Sequence, residues 1–255
     1  MERIVAQNPW PKPIVVFGYN SEKQNGVNAF EAETNCVAEH NMGQVATSGA
    51  NNLAFFSRKP PIVEPLVQPV SQPLEYNESS VYVAFVIGDG DNVEKVKVTL
   101  REWFIARQKR CGAGDCFPLS WTLSPHLLHL APDMLLWFYK GAERTGLDHF
   151  VLPPSGDIYS YPGQMPPSVQ ERYVRKTESD ARLMNTSGLV EWEWEGTWKA
   201  AVRSYYPRYS AHGIVRGLFA VNVPYMLPVG QHIFAPGEHS RLIEPRGPVL
   251  FRPRK

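Results

Sequence analysis

The chain lacks an excess of charge of either sign. Its 26 Lys and Arg stand against 25 Asp and Glu, a formal net charge of +1. A near balance of that kind offers no broad basic field to a nucleic acid or an anionic membrane, and neither partner is expected. Long apolar runs are also missing, and nothing approaches the ~20 residues that span a bilayer. The stretch 1–10 has no apolar signal core, so this chain read by itself is expected in the cytosol. Cysteine is scarce: with only Cys36, Cys111 and Cys116 present, at least one must stay unpaired within the chain. Cys111 and Cys116 could close a small disulfide if the protein is exported, but their loop lacks the second ligand pair of a structural zinc site. No Gly-Lys-Ser/Thr phosphate loop and no Gly-x-Ser-x-Gly elbow occurs, which argues against nucleotide hydrolysis and the common esterases. No cofactor and no metal is expected as a resident group.

What is present is a core and many loops. Hydrophobic residues make up 43% of the 255 positions, aromatics 12%, and there are 23 prolines. That composition suits a globular α/β protein with ring-bearing loops. Residues 1–57 read as an N-terminal segment with β candidates at Ile14–Tyr19 and Leu53–Phe56. Pro60, Pro61, Pro65, Pro69 and Pro73 then favour extended, polyproline-like chain, and a linker is expected over 58–78. From 79 to 255 strands and helices alternate. Val81–Ile87 is nearly continuous apolar chain, as for a strand covered on both faces. Val93, Val96, Leu100, Trp103 and Phe104 share a helix face. Phe117–Leu123 and Asp148–Leu152 read as strands. Between them runs a helix that starts near Ser124-Pro125 and restarts at Pro132.

A third helix is expected after Pro166-Pro167, with Ser168 and Glu171 as a capping box. A fourth runs over Thr197–Tyr206, then a strand at Ile214–Val221 and short β candidates at 232–234 and 249–251. Strand–helix alternation predicts parallel α/β architecture with right-handed crossovers. The stretch after residue 80 falls short of the ~250 residues of a full eight-fold barrel. A barrel-like domain here is therefore incomplete, completed by the N-terminal strands, or part of a longer chain.

In parallel α/β folds chemistry gathers where strands end. Two loops qualify. Gly88-Asp89-Gly90-Asp91-Asn92 follows the first buried strand, with carboxylates flanked by glycines; Asp91 or Asn92 could equally cap the next helix. Pro153-Pro154-Ser155-Gly156-Asp157-Ile158-Tyr159-Ser160-Tyr161-Pro162 follows a later strand. It offers one carboxylate and two tyrosines whose faces suit sugar C–H surfaces, or whose rings simply cover the core. His126 and His129, three apart on a helix, lack a third metal ligand nearby. Glu191, Glu193 and Glu195 alternate with Trp192 and Trp194, the pattern of a short exposed edge strand.

These motifs resemble a known family. Phe85-Val-Ile-Gly-Asp-Gly-Asp-Asn92, Trp121-Thr-Leu-Ser-Pro125, Leu130-Ala-Pro132, Asp148 and Pro154-Ser155-Gly156 are similar, in order, to the GxGYxYP putative glycoside hydrolases over roughly residues 80–225. The resemblance implies a C-terminal, barrel-like catalytic-type domain acting on a carbohydrate substrate, and allows a secreted protein. Glycoside cleavage needs an acid for the leaving oxygen and a second carboxylate as nucleophile or base. Asp89, Asp91 and Asp157 are the candidates, with Asp89 or Asp91 expected opposite Asp157 across one cleft. Trp121, Tyr159 and Tyr161 would form the sugar platform, with Asn92 and Ser155 beside it. The family's second glycine is Ile158 here, and a β-branched residue does not take the positive φ that a glycine allows. Two further readings stay open. One is a non-catalytic carbohydrate-binding remnant. The other is a metal-assisted hydrolase with a hard cation on Asp89 and Asp91.

Overall fold

The computed structural model of the chain describes residues 14–18, 23–24, 27–47, 49–70, 77, 79–80, 83–111, 116–193 and 195–220. The β candidates at 232–234 and 249–251 lie outside them. Strand β1 (Ile14–Phe17) leads through a minimal antiparallel pair, β2 (Lys23–Gln24) and β3 (Val27–Asn28), into helix α1 (Ala29–Glu39). Strand β4 (Met42–Val45) returns parallel to β1. Residues Leu53–Phe56, expected as a strand, form a single helical turn, α2. A four-residue apolar run does not distinguish strand from helix, and Asn52 in the left-handed region turns the chain into the helix.

Strands β5 (Val86–Ile87), β6 (Leu119–Thr122) and β7 (Asp148–Val151) form a parallel sheet in sequence order, and β8 (Gly188–Glu191) pairs parallel with β9 (Gly217–Ala220). Parallel bridges Ala46–Asn92 and Leu152–Leu189 stitch these groups edge to edge. The class is α/β, as expected. Among the described residues the ladder does not close into a barrel; the expectation was of a barrel-like domain, possibly incomplete. Of the strand expected over 81–87, Val86–Ile87 is the part that joins the ladder among the described residues, while Val83 and Phe85 are exposed.

The crossovers are helical. Helix α3 (93–111) contains a π turn at Val96–Leu100, which keeps Val93, Val96, Leu100 and Phe104 on the core side while Trp103 faces solvent. Helix α4 (Leu127–Leu130) begins later than expected, and Ser124 accepts the His126 N–H at 3.3 Å rather than capping the helix. Pro132 restarts the chain as the first residue of α5 (Pro132–Thr145), which stops at Gly146 in the left-handed conformation. Helix α6 (Pro167–Leu183) starts from Pro166 with no side-chain cap, so the expected Ser168/Glu171 capping box is not formed. Helix α7 (198–212), with a π turn at Ala201–Tyr205, completes the set. Among the described residues no helix is long and apolar enough to cross a membrane.

The proline-rich stretch runs extended and is tied to the body. Ile62 N–H donates to Leu128 O at 2.9 Å and Leu66 N–H to Leu183 O at 2.8 Å. The Gln68 amide accepts from Phe150 N–H at 2.7 Å and donates to the carbonyls of Phe150, Met184 and Asn185. Cys111 and Cys116 are joined in a disulfide that does not involve Cys36.

At the N-terminal end of the sheet sits a buried carboxylate with four partners. Asp148 Oδ1 accepts from Arg107 Nε at 2.5 Å and Trp121 Nε1 at 2.9 Å; Oδ2 accepts from Thr145 Oγ1 at 2.7 Å and Gln108 Nε2 at 3.1 Å. Helix α3, strand β6, helix α5 and strand β7 meet on one side chain. Removing it leaves the Arg107 charge without its counterion, a change that typically costs about 3–5 kcal/mol. Asp148→Ala should lower the urea unfolding midpoint accordingly. A midpoint equal to the wild type would show that these contacts add nothing net.

Candidate functional site

The C-terminal ends of β4 to β7 surround a narrow crevice whose walls include Gln44, Val45, Asp91, Ser124, Asp157 and Ile158. Each side chain arrives there for a local reason. After β5, Gly90 packs against β6 so closely that an added Cβ would lie 1.9 Å from Thr122 O. Its N–H donates to Thr122 Oγ1 at 2.9 Å, and its carbonyl accepts from Ser124 N–H at 2.8 Å. Glycine is dictated at that point, and the tight approach delivers Asp91 to the crevice. Asp91 is half-buried. Burial, helped by the nearby Asp89 charge and only partly offset by a backbone hydrogen bond and Lys95, pushes its carboxyl up to about 7.

The opposite wall is the loop after β7. Gly156 takes a φ of 106°, and a Cβ there would meet Thr177 Cγ2 at 2.5 Å. The next N–H, of Asp157, donates to Thr177 Oγ1 at 3.2 Å, so α6 fixes the loop from behind. The Asp157 carboxylate is buried. His126 Nε2 lies 3.4 Å and Lys176 Nζ 3.3 Å from its Oδ1. Burial alone would raise this carboxyl; the His126 contact and the Lys176 charge outweigh it and hold it below the usual carboxylate range. Lys176 also contacts the buried Asp180 at 2.5 Å.

Asp91, Asp157 and Tyr159 are thus brought to one crevice, and the other expected residues are not. Asp89 adopts a left-handed φ of 66°, and its side chain is 64% exposed in an ion pair with Lys95 at 3.1 Å. Asn92 caps α3, its Oδ1 accepting Lys95 N–H at 3.1 Å. Ser155 is buried, its Oγ 2.9 Å from the carbonyls of both Ser160 and Trp192. Trp121 lies in the core, 2% exposed and bonded to Asp148. Tyr159 and Tyr161 are both buried, Tyr159 stacked edge-on with Trp192. These rings form no open platform.

Ile158 takes no positive φ. It packs in the core against Gly43, where a Cβ would meet Ile158 Cδ1 at 2.5 Å. The space that a second glycine would leave is filled by a side chain whose own partner is a glycine. Backbone hydrogen bonds between Gln44 and Tyr159, 2.8 and 2.9 Å, hold that contact in register.

Several residues were not legible as site members. His126, weighed only as a metal ligand, faces Asp157; among the described residues no three His, Cys, Asp or Glu side chains converge to hold a metal. Lys176 and Asp180 were given no role, and their i,i+4 spacing on α6 is that of an ordinary surface pair. Glu191 and Glu193, expected on an exposed edge, are fully buried. The reason is topological: β8 lies between β7 and β9, so its end is enclosed. Neither Glu191 oxygen accepts a well-formed hydrogen bond, and burial with the neighbouring Glu193 charge raises its carboxyl well above the usual range. Glu193 accepts from Gly163 N–H at 2.5 Å and Thr197 Oγ1 at 2.8 Å. The signal that could have found both is their place at the end of a strand in parallel order.

A family model described as the GxGYxYP putative glycoside hydrolase C-terminal domain matches residues 79–235. The chain belongs to this family. In this GxGYxYP member the signature stretch is Gly156-Asp157-Ile158-Tyr159-Ser160-Tyr161-Pro162, with isoleucine for the second glycine. The fold is similar to that of a putative hydrolase from Bacteroides thetaiotaomicron VPI-5482, with a TM-score of 0.65 at 23% sequence identity. The match covers 81% of the GxGYxYP chain and 37% of that longer protein, and at this identity it speaks for the fold alone. Among curated proteins none matches.

A carboxyl whose folded pKa is raised contributes stability that is present at acid pH and lost as pH rises through the folded value. For Asp91 that loss falls between its ordinary value of 3.8 and about 7. Thermal melts from pH 4 to 8 should therefore show Asp91→Asn gaining on the wild type as pH rises. Parallel curves would mean that Asp91 titrates as an ordinary surface acid.

Proposed function

We propose that this crevice is the site of a glycoside hydrolase, with Asp91 as general acid and Asp157 as the ionised carboxylate opposite it. The observation that carries the reading is the pairing itself. Two carboxyl groups from the loops after β5 and β7, on either side of β6, line one crevice, and their surroundings push them in opposite directions. Environments that separate two acids in this way assign the protonated and ionised roles.

Asp91, holding its proton near neutral pH, would donate it to the glycosidic oxygen as the bond to the anomeric carbon breaks. Asp157 would meet the developing oxocarbenium charge from the other side. It would attack directly at a carboxyl separation of about 5–5.5 Å, or activate a water at about 6.5–9.5 Å. His126 and Lys176 keep Asp157 ionised, a geometric role that needs no contact with substrate. The family description and the hydrolase neighbour agree with hydrolysis, and the family description supports carbohydrate as the substrate class. The stitched run of parallel strands is compatible with one arc of a barrel within a longer protein.

One observation favours a second reading, a non-catalytic carbohydrate-binding remnant. The crevice is narrow, and the rings expected to receive a sugar are enclosed. The cation reading gains no such support, because Asp89 points to solvent and pairs with Lys95.

A glycan panel assayed with wild type, Asp91→Asn and Asp157→Asn separates the two. Hydrolysis predicts turnover that falls above about pH 7, where Asp91 loses its proton, and a loss of about 10²–10⁴-fold in each variant. Glycan binding without turnover, unaffected by either substitution, supports the remnant.

A further inference from the structure

We propose that Asp157 and Asp180 form one buried acid pair sharing a single proton, with Asp180 the positioning residue that keeps Asp157 ionised and aimed into the crevice. This deepens the hydrolase reading and rests on it for the role of Asp157, but the pair itself is a property of the chain alone.

One ammonium serves two carboxylates: Lys176 Nζ is 2.5 Å from Asp180 Oδ1 and 3.3 Å from Asp157 Oδ1. Both acids are buried, and the shared ammonium brings their Oδ1 atoms onto one group. Asp180 Oδ2 and Asp157 Oδ1 are enclosed without a well-formed hydrogen bond. Two acceptor-only groups placed together and shielded from water repel unless a proton lies between them. With both ionised, Lys176 would leave one negative charge uncompensated in a low-dielectric setting. With one proton added, the three groups are neutral.

The proton belongs on Asp180. Asp157 has His126 as a further neighbour from the loop after β6, at 3.4 Å, whereas the ion pair of Asp180 is with Lys176. His129 lies near Lys176 and His126, but burial and those neighbours hold it below the ordinary imidazole range, so it brings no further cation to Asp157 at neutral pH. Burial and the Asp157 charge raise the Asp180 carboxyl, in keeping with this assignment. Protonated Asp180 then donates to Asp157, and its own position on α6, one turn after Lys176, is what places that donor. The carboxylate needed in the crevice is thereby held by a rigid helix rather than by its own loop.

The test is a carboxyl-carbon NMR titration of the full chain labelled at aspartate, from pH 3 to 10, with no substrate present. Asp91→Asn and Asp180→Asn provide the assignments. The pair predicts one step that lies above the ordinary carboxylate range, survives Asp91→Asn and disappears in Asp180→Asn, while Asp157 stays ionised throughout. Independent titration of Asp157 and Asp180, both in the ordinary carboxylate range, overturns the proposal. If Asp180→Asn fails to fold, the wild-type and Asp91→Asn titrations still decide, because a second raised step is either present or absent. Activity is read separately. Asp180→Asn, which retains a donor, should keep turnover within about threefold of the wild type. Asp180→Ala should lower kcat at least tenfold and shift the acidic limb of the pH profile upward. An intact pair in a protein inert on every glycan would retire the hydrolase reading and leave the pair standing.

Discussion

A buried carboxylate at the foot of the sheet, Asp148, is the constraint from which the rest is built. A charge this enclosed is tolerable only when its acceptor capacity is filled, and here Arg107, Gln108, Trp121 and Thr145 fill it. Because those donors come from α3, β6 and α5, satisfying one side chain fixes three elements relative to β7. Trp121, Phe138 and Phe150 then pack around Phe104, their ring centroids 5.1–6.3 Å from its own. The same strands present their other ends to the crevice. The foot of the sheet is saturated and shut, while its top holds carboxyl groups with incomplete partners, the usual division between stability and chemistry in parallel folds.

Two close approaches carry this rigidity upward. Gly90 against Thr122 and Gly156 against Thr177 each allow backbone where no side chain would fit. They bring Asp91 and Asp157 to the crevice without relying on long, flexible loops. The neighbours then differ: Asp91 meets burial and a like charge, Asp157 meets His126 and Lys176. Opposite environments for two similar side chains follow from which elements flank each loop.

How much of this the sequence revealed depends on the length scale of each signal. Pro132 restarting a helix, the strand at Asp148–Val151, the parallel α/β class and the strand-end loops all rest on local pattern, and local pattern was enough. Asp91 and Asp157 could be named as candidates from their place in glycine-bearing loops after strands, although helix capping accounted for Asp91 equally well. Burial was harder. Trp121 looks alike in a cleft and in a core until Asp148 is found beneath it. The alternation of Glu191 and Glu193 reads as an edge until β9 covers that side. Lys176 and Asp180 differ from a surface pair only through Asp157, nineteen positions away in sequence from Lys176. Leu53–Phe56 was too short for its period to decide between helix and strand.

The contact between Gly43 and Ile158 has a consequence for how such a protein can be divided or recombined. One wall of the crevice, Gln44 and Val45, belongs to the N-terminal strand pair, upstream of the region 79–235 that defines the family. A boundary drawn by sequence similarity therefore cuts through the crevice and strips the cover from Ile158. The heritable unit that keeps this site whole is the N-terminal pair together with the family region, and an exchange at residue 79 between relatives would need matched side chains on both sides of that seam.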